Sequence, residues 1–251
     1  MSANILMKRL PRSAASSTQR MLRVGGITPF SATDYPGKLA AVVFVQGCPW
    51  RCGYCHNPHL QPRLPGGPLD WTRIRNLLQR RVGLVDAVVF SGGEPTIDPC
   101  LANAIGEVRE LGFKVGLHSG GIYPTRFNEI LPMLDWVGFD IKAPFDHRYE
   151  RITGVADSAT AALDSAQAII SSNVDYEFRT TIHPALLDED DIMALAQTLA
   201  AMGATSYALQ VFRAQGCGSA TLNAVPVTGY PSDDLVQRVA ALFPEFILRR
   251  N

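Results

Sequence analysis

Cysteine is scarce in this chain, with five in 251 residues. The count is odd and too low for a disulfide scaffold, so a reducing, cytoplasmic setting is expected. There is no excess charge of either sign. Lys and Arg number 23, Asp and Glu number 23, and the formal net charge is zero. A nucleic-acid surface built on bulk charge is thereby excluded. No apolar run approaches the roughly 20 residues that a membrane-spanning helix needs, so no membrane partner is expected. No break in composition marks off a second domain. Hydrophobic residues nevertheless make up 47% of the chain, enough for a sizeable core. The length suits a single α/β domain.

Residues 1–20, "MSANILMKRLPRSAASSTQR", are basic, Ser-rich and free of acidic residues. An organelle transit peptide has a similar composition. A flexible N-terminal tail is the reading adopted, with Met21 as an alternative start and residues 21–251 as one domain.

From Leu39 onward, apolar runs of strand length alternate with amphipathic segments. The pattern predicts strands over Leu39–Gln46, Asp86–Ser91, Phe113–Ser119, Trp136–Lys142, Tyr176–Ile182 and Ser206–Phe212. Helices are predicted near Leu69–Arg81, with Asp70 as cap, and near Cys100–Leu111, Thr125–Leu134, Thr160–Ser172, Glu189–Met202 and Asp233–Phe243. The run "EFILRR" at the end predicts one more short strand. Alternating strands and helices imply right-handed crossovers and parallel pairing. Six units without an eighth predict a partial (β/α)6 barrel, open on one side. A doubly wound sheet is the alternative that local pattern leaves open.

In parallel α/β folds the chemistry gathers beyond the carboxyl ends of the strands. Here the six strand ends carry, in order, a three-cysteine loop, "SGGEP", "HSGG", "DIK", "RTTIHP" and "QVFR". Three of the five cysteines, Cys48, Cys52 and Cys55, crowd into the first of these loops. A structural zinc site with His56 or His59 as fourth ligand is one reading, although such sites usually join two separated ligand pairs. An iron–sulfur cubane is the other. It normally takes four thiolates, and three would leave one iron open to substrate.

The spacing Cys48-x3-Cys52-x2-Cys55, with aromatic Tyr54 before the last cysteine, resembles the signature of the radical S-adenosylmethionine (SAM) enzymes. That resemblance implies a [4Fe–4S] cluster on the three cysteines, with SAM chelating the fourth iron. Reductive cleavage of SAM then yields methionine and a 5′-deoxyadenosyl radical. "GGEP" resembles the family's glycine-rich segment at the SAM amine, which implicates Gly92, Gly93 and Glu94. More narrowly, "QGCPWRCGYCHNP" resembles the activating enzymes of glycyl-radical proteins. "ITPFSATDYPGKLAAVVFVQGCPWRC" looks most like activators of anaerobic ribonucleoside-triphosphate reductase. A glycyl-radical enzyme as partner and a flavodoxin- or ferredoxin-type electron donor follow from this likeness.

The same resemblance implies that Asp140 and Lys142 lie beside bound SAM. Two residues apart on a strand share a face, although a plain surface ion pair fits the same spacing. It likewise implies that Arg179 reaches SAM and that Arg213 sits where a ribose-contacting side chain does. One position departs. Formate-lyase activators carry an Asp-Thr pair of a monovalent-cation site where this chain has His118 and Ser119. An imidazole removes a hard oxygen ligand, which puts that site in doubt. His118 is then either a donor to SAM, beside Ser119, or a structural histidine. Cys100 is expected in the core at a helix start and Cys217 in an exposed loop, so no second cluster is predicted.

Rival functions are an activase, another radical SAM enzyme acting on a small molecule or RNA, and a zinc-stabilised binding module. A chain of this length leaves little beyond a SAM core for a substrate domain. A target brought by a partner protein fits best.

Overall fold

The computed structural model describes residues 21–64 and 69–250. The expected tail, residues 1–20, lies outside the described residues. The elements run β1 (Val24–Ser31), β2 (Ala40–Val45), α1 (Trp71–Gln79), β3 (Ala87–Gly92), α2 (Leu101–Glu110), β4 (Lys114–Ser119), α3 (Pro124–Ile130) and β5 (Trp136–Asp140). They continue with α4 (His147–Thr153), α5 (Ser158–Ile170), β6 (Asp175–Ile182), α6 (Glu189–Ala201), β7 (Ser206–Val211), α7 (Ala220–Asn223), α8 (Asp233–Ala240) and β8 (Glu245–Arg249).

The strands form one eight-stranded sheet in chain order, from β1 at one edge to β8 at the other. β1 pairs antiparallel with β2. From β2 to β8 every pairing is parallel. A doubly wound sheet reverses its strand order at a switch point, and none occurs here. Sequential order with right-handed crossovers brings the helices to one face, which gives six β/α units in an open sheet.

The two faces follow from side-chain alternation along each strand. Ala41, Val43 and Val45 of β2 join Val88 and Phe90 of β3 and buried residues of the helices, such as Ile105 and Leu195, in the main core. Ala40, Val42, Ala87 and Val89 point the other way. They form a second small cluster with Tyr35 and Trp136 in which no helix takes part. Tyr35, from the β1–β2 loop, stacks on Trp136 with ring centroids 5.1 Å apart.

Local signals act as expected where they are strong. Asp70 caps α1 by accepting from Thr72 N at 2.7 Å. Asp188 and Asp191 form a reciprocal capping box at α6. Three elements are absent from the sequence reading. β1 reads "VGGITPFS", whose glycines and proline weaken a strand signal. It survives because an edge strand tolerates Pro29 and because its register slips twice against β2. α4 and α7 are only seven and four residues long, too short for helical periodicity to show.

Candidate active site

The cysteine loop leaves β2 at Val45 and is fastened at both ends. Gly47 N donates to Leu60 O at 2.7 Å, and Cys48 N to Gln61 O at 3.0 Å. Arg51 N donates to Thr153 O at the end of α4 at 2.7 Å. Its guanidinium donates back to Cys48 O at 2.6 Å and Trp50 O at 2.9 Å. Cys55 N closes a turn onto Cys52 O at 3.0 Å. Cys48, Cys52 and Cys55 are all free thiols and half-buried. Burial pushes the Cys48 thiol up to about 12, with the Glu94 charge adding to it. Burial raises Cys52 as well, against the pull of Lys142. Among the described residues no three His, Cys, Asp or Glu side chains converge on one metal ion. A cubane takes each thiolate on a different iron, so its ligands need not meet at one point. Three thiols in one loop are a donor set that fits such a cluster.

The end of β3 presses against this loop. Glu94 N donates to Gly47 O at 2.8 Å and Gly93 N to Val45 O at 3.0 Å. Gly92 has φ +118°, and a Cβ there would lie 2.5 Å from Val45 N and O. At Gly93 a Cβ would lie 2.3 Å from Gly47 O. Only glycine permits such approach. The Glu94 side chain is buried and accepts from four protein donors. Its Oε1 accepts from Thr96 N at 3.0 Å, Thr96 Oγ1 at 2.6 Å and Ser119 Oγ at 2.9 Å. Its Oε2 accepts from Gly120 N at 3.0 Å. Burial still raises its carboxyl above the usual range. Glu94 and Ser119 thus clasp the ends of β3 and β4 together.

A second group forms a chain of charge across β4, β5 and β6. In-register pairing sets Asp140 beside Arg179. Arg179 Nε donates to Asp140 Oδ1 at 3.1 Å, and Lys142 Nζ to Asp140 Oδ2 at 3.2 Å. Burial opposes the Asp140 charge, but Lys142 and Arg179 prevail and hold the carboxyl at about 2. Burial likewise opposes the Lys142 charge, and Asp140 outweighs it, lifting the ammonium well above its ordinary value. Lys142 Nζ sits 5.7 Å over the Tyr54 ring centroid, so the chain reaches the cysteine loop. Arg179 also donates to Gly138 O at 3.0 Å and lies over Trp136.

His118 ties β4 to the β1–β2 loop and also faces a cavity. Its Nε2 lies 2.9 Å from Asp34 O, the shorter contact, which needs the proton on Nε2, and 3.3 Å from Arg179 Nη1, a donor that a protonated Nε2 does not accept from. Nδ1 then accepts from Ser91 Oγ at 3.3 Å. Burial and the Arg179 charge lower its pKa to about 4. Arg213 is exposed at the rim of a cavity of about 410 Å³, which is also lined by His118, Arg179, Thr181, Gln210 and Arg249.

Two residues near this site, Tyr149 and Asp98, gave no sequence signal, whereas Tyr54 and Gln46 belong to the quoted motif. The hydroxyls of Tyr54 and Tyr149 and Oε1 of Gln46 are buried without a hydrogen-bond partner. Asp98, almost fully buried, joins Arg23 N, Arg63 and Cys100 N at 2.9–3.0 Å. It ties the first strand and the return from the cysteine loop to the start of α2. Cys100 stands at the start of α2, half-buried and packed against the main core. Cys217 corrects an expectation, being buried and not exposed. The glycines of "QGCGS" suggest open loop, but the segment folds beneath Gly53, where the Cys217 thiol donates to Gly53 O at 3.6 Å.

Residues 42–199 match the model of the radical SAM superfamily. The chain belongs to the radical SAM superfamily. It is 29% identical over 231 residues to a candidate glycyl-radical enzyme activating enzyme of Methanocaldococcus jannaschii, spanning 89% of this chain and 92% of that protein. It is 32% identical over 185 residues to the pyruvate formate-lyase-activating enzyme of Clostridium pasteurianum, spanning 71% of this chain and 76% of that one. QueE from Escherichia coli shares the fold at TM-score 0.52 and 15% identity, over 92% of this chain and 94% of that one. The protein is thus a radical SAM enzyme homologous to glycyl-radical enzyme activating enzymes. Its family uses a [4Fe–4S] cluster and SAM. Among the described residues no helix is long and apolar enough to cross a membrane.

Proposed function

We propose that this radical SAM enzyme is an activase that generates a glycyl radical on a partner enzyme, anaerobic ribonucleoside-triphosphate reductase. One observation carries the reading. Three half-buried thiols of one loop and the Asp140–Lys142–Arg179 chain occupy the same carboxyl edge of the parallel sheet and touch through Lys142 and Tyr54. Glycyl-radical enzyme activating enzymes act on a glycyl-radical enzyme. The likeness of Ile27–Cys52 to reductase activators supports the particular partner.

Cys48, Cys52 and Cys55 hold the cluster. When bound, cluster and SAM supply a one-electron cleavage of the SAM carbon–sulfur bond. The protein's part is placement and charge. Lys142, kept cationic by Asp140, offers a charge-assisted donor to the SAM carboxylate. The backbone at Gly92 and Gly93, held in place by Glu94 and Ser119, would receive the SAM amine. Arg179 fixes Asp140, Tyr54 bounds the pocket beside Lys142, and Arg213 reaches the ribose side. A flavodoxin- or ferredoxin-type protein delivers the electron.

The test is electron paramagnetic resonance on the cluster-loaded protein with SAM, a reductant and the reductase from the same source. A doublet that collapses when the partner's glycine is α-deuterated is the expected result. Active SAM cleavage without a radical on any candidate glycyl-radical enzyme would refute the activase reading.

A further inference from the structure

We infer that the segment from Arg213 to Asn223 is a positioning clamp for the Cys55 side of the cysteine loop, with Cys217 as its pivot. The inference rests on the cluster assignment above.

The two halves of the cysteine loop are supported differently. The Cys48 half is held by Gly93, Glu94, Gln61 and Thr153, through backbone bonds described above. The Gly53–His56 half has no such bonds to β3 or β4. Apart from Lys142 over the Tyr54 ring, its polar and ring contacts to other elements among the described residues come from the segment that follows β7. The Cys217 thiol donates to Gly53 O at 3.6 Å while its sulfur accepts from Ser219 N at 3.4 Å. His56 Nε2 donates to Arg213 O at 3.0 Å. The His56 ring stacks on Phe212 with centroids 6.1 Å apart. A methyl added at Gly216 would meet the His56 carbonyl at 3.3 Å.

The segment is itself braced from below. Asn223 Nδ2 donates to Cys217 O at 3.1 Å. Buried His183, beyond β6, donates to Leu222 O at 3.2 Å and packs edge-on against Phe212 at 4.9 Å. These contacts form a continuous layer from the β6–α6 turn to the loop that carries Cys52 and Cys55. Loss of an outer partner that orients a metal ligand typically costs roughly 10- to 100-fold in metal affinity or activity. The clamp also begins at the cavity wall, where His56, Gln210 and Arg213 face the same space.

Cys217→Val removes the thiol donor and acceptor at similar volume, while Cys217→Ser keeps both. Each is loaded with iron anaerobically and its reduced cluster is examined by electron paramagnetic resonance, with and without SAM. Both variants should hold about four irons, the cubane number. Cys217→Ser should reproduce the wild-type spectrum. Cys217→Val should shift its g values and lose roughly tenfold in SAM cleavage, the low end for outer-shell partners. Should Cys217→Val fail to fold, Asn223→Ala loosens the clamp from within and should shift the spectrum likewise. Cluster-bearing variants whose spectra coincide with wild type in both states would overturn the clamp alone. A wild-type protein that takes up no cluster would overturn the cluster assignment and the clamp together.

Discussion

Gly93→Ala should cost this protein both stability and cluster. The added methyl would lie 2.3 Å from Gly47 O, 2.7 Å from Gly47 C and 3.1 Å from Leu60 O. All three are backbone atoms, so no rotamer change relieves the clash. Restoring ordinary contact opens the gap between β3 and the cysteine loop by about 1 Å. The bonds Glu94 N to Gly47 O and Gly93 N to Val45 O span that gap. Each contributes about 1 kcal/mol, and overpacking adds about 1–3 kcal/mol. The total is about 3–5 kcal/mol, or a fall in Tm of roughly 10 °C for a chain of this size. Gly106→Ala is the matched control. Gly106 sits inside α2 with no atom within 4 Å of an added Cβ. It should gain about 0.5–1 kcal/mol from helix propensity. Circular dichroism melts of both apo variants, with iron analysis after reconstitution, check the pair. A Gly93→Ala protein that melts with wild type and holds a full cluster would refute the close approach of β3 to the loop.

The remaining expectations concern charge and ligation. Cys52→Ala should lose the cluster absorbance that Cys100→Ala and Cys217→Ala keep; full iron in Cys52→Ala would defeat the ligand assignment. Lys142→Met removes the ammonium but keeps the stem, and should weaken SAM binding about ten- to a hundredfold, the range of a charge-assisted bond. Equal SAM affinity in wild type, Lys142→Met and Asp140→Asn by equilibrium dialysis would make the pair structural. His118 titrates near 4 when folded and near 6.5 when unfolded. The unfolded state therefore binds more protons between these values, and stability is full above 6.5 and falls as pH drops toward 4. The loss is at most about 3 kcal/mol. Denaturant melts of His118→Gln, which can still donate to Asp34 O, should show a flatter acid limb; an unchanged limb would exclude His118 as the group responsible.

The sequence by itself determined the parts of this protein that are local. Strand and helix alternation from Leu39 onward is written in hydrophobic period, and the ligand loop in the spacing of Cys48, Cys52 and Cys55. The six strand ends named the residues that meet, because parallel strands deliver their carboxyl ends to one edge whatever the helices do. Only the tertiary structure decided how those residues divide the work. The sequence implicates Glu94 but does not show that its oxygens are filled by Thr96, Ser119 and Gly120 from separate stretches of chain. His118 finds its partner in Asp34 O, 84 residues away. Cys217 reads as surface until α7 and His183 press its loop under Gly53. β1 needs β2 to exist at all, since a strand with two glycines and a proline gains its stability from pairing and not from its own propensity. Hydrogen-bond satisfaction and burial are pairwise properties of distant segments, and a one-dimensional pattern records a residue's chemistry but not the partner that uses it up.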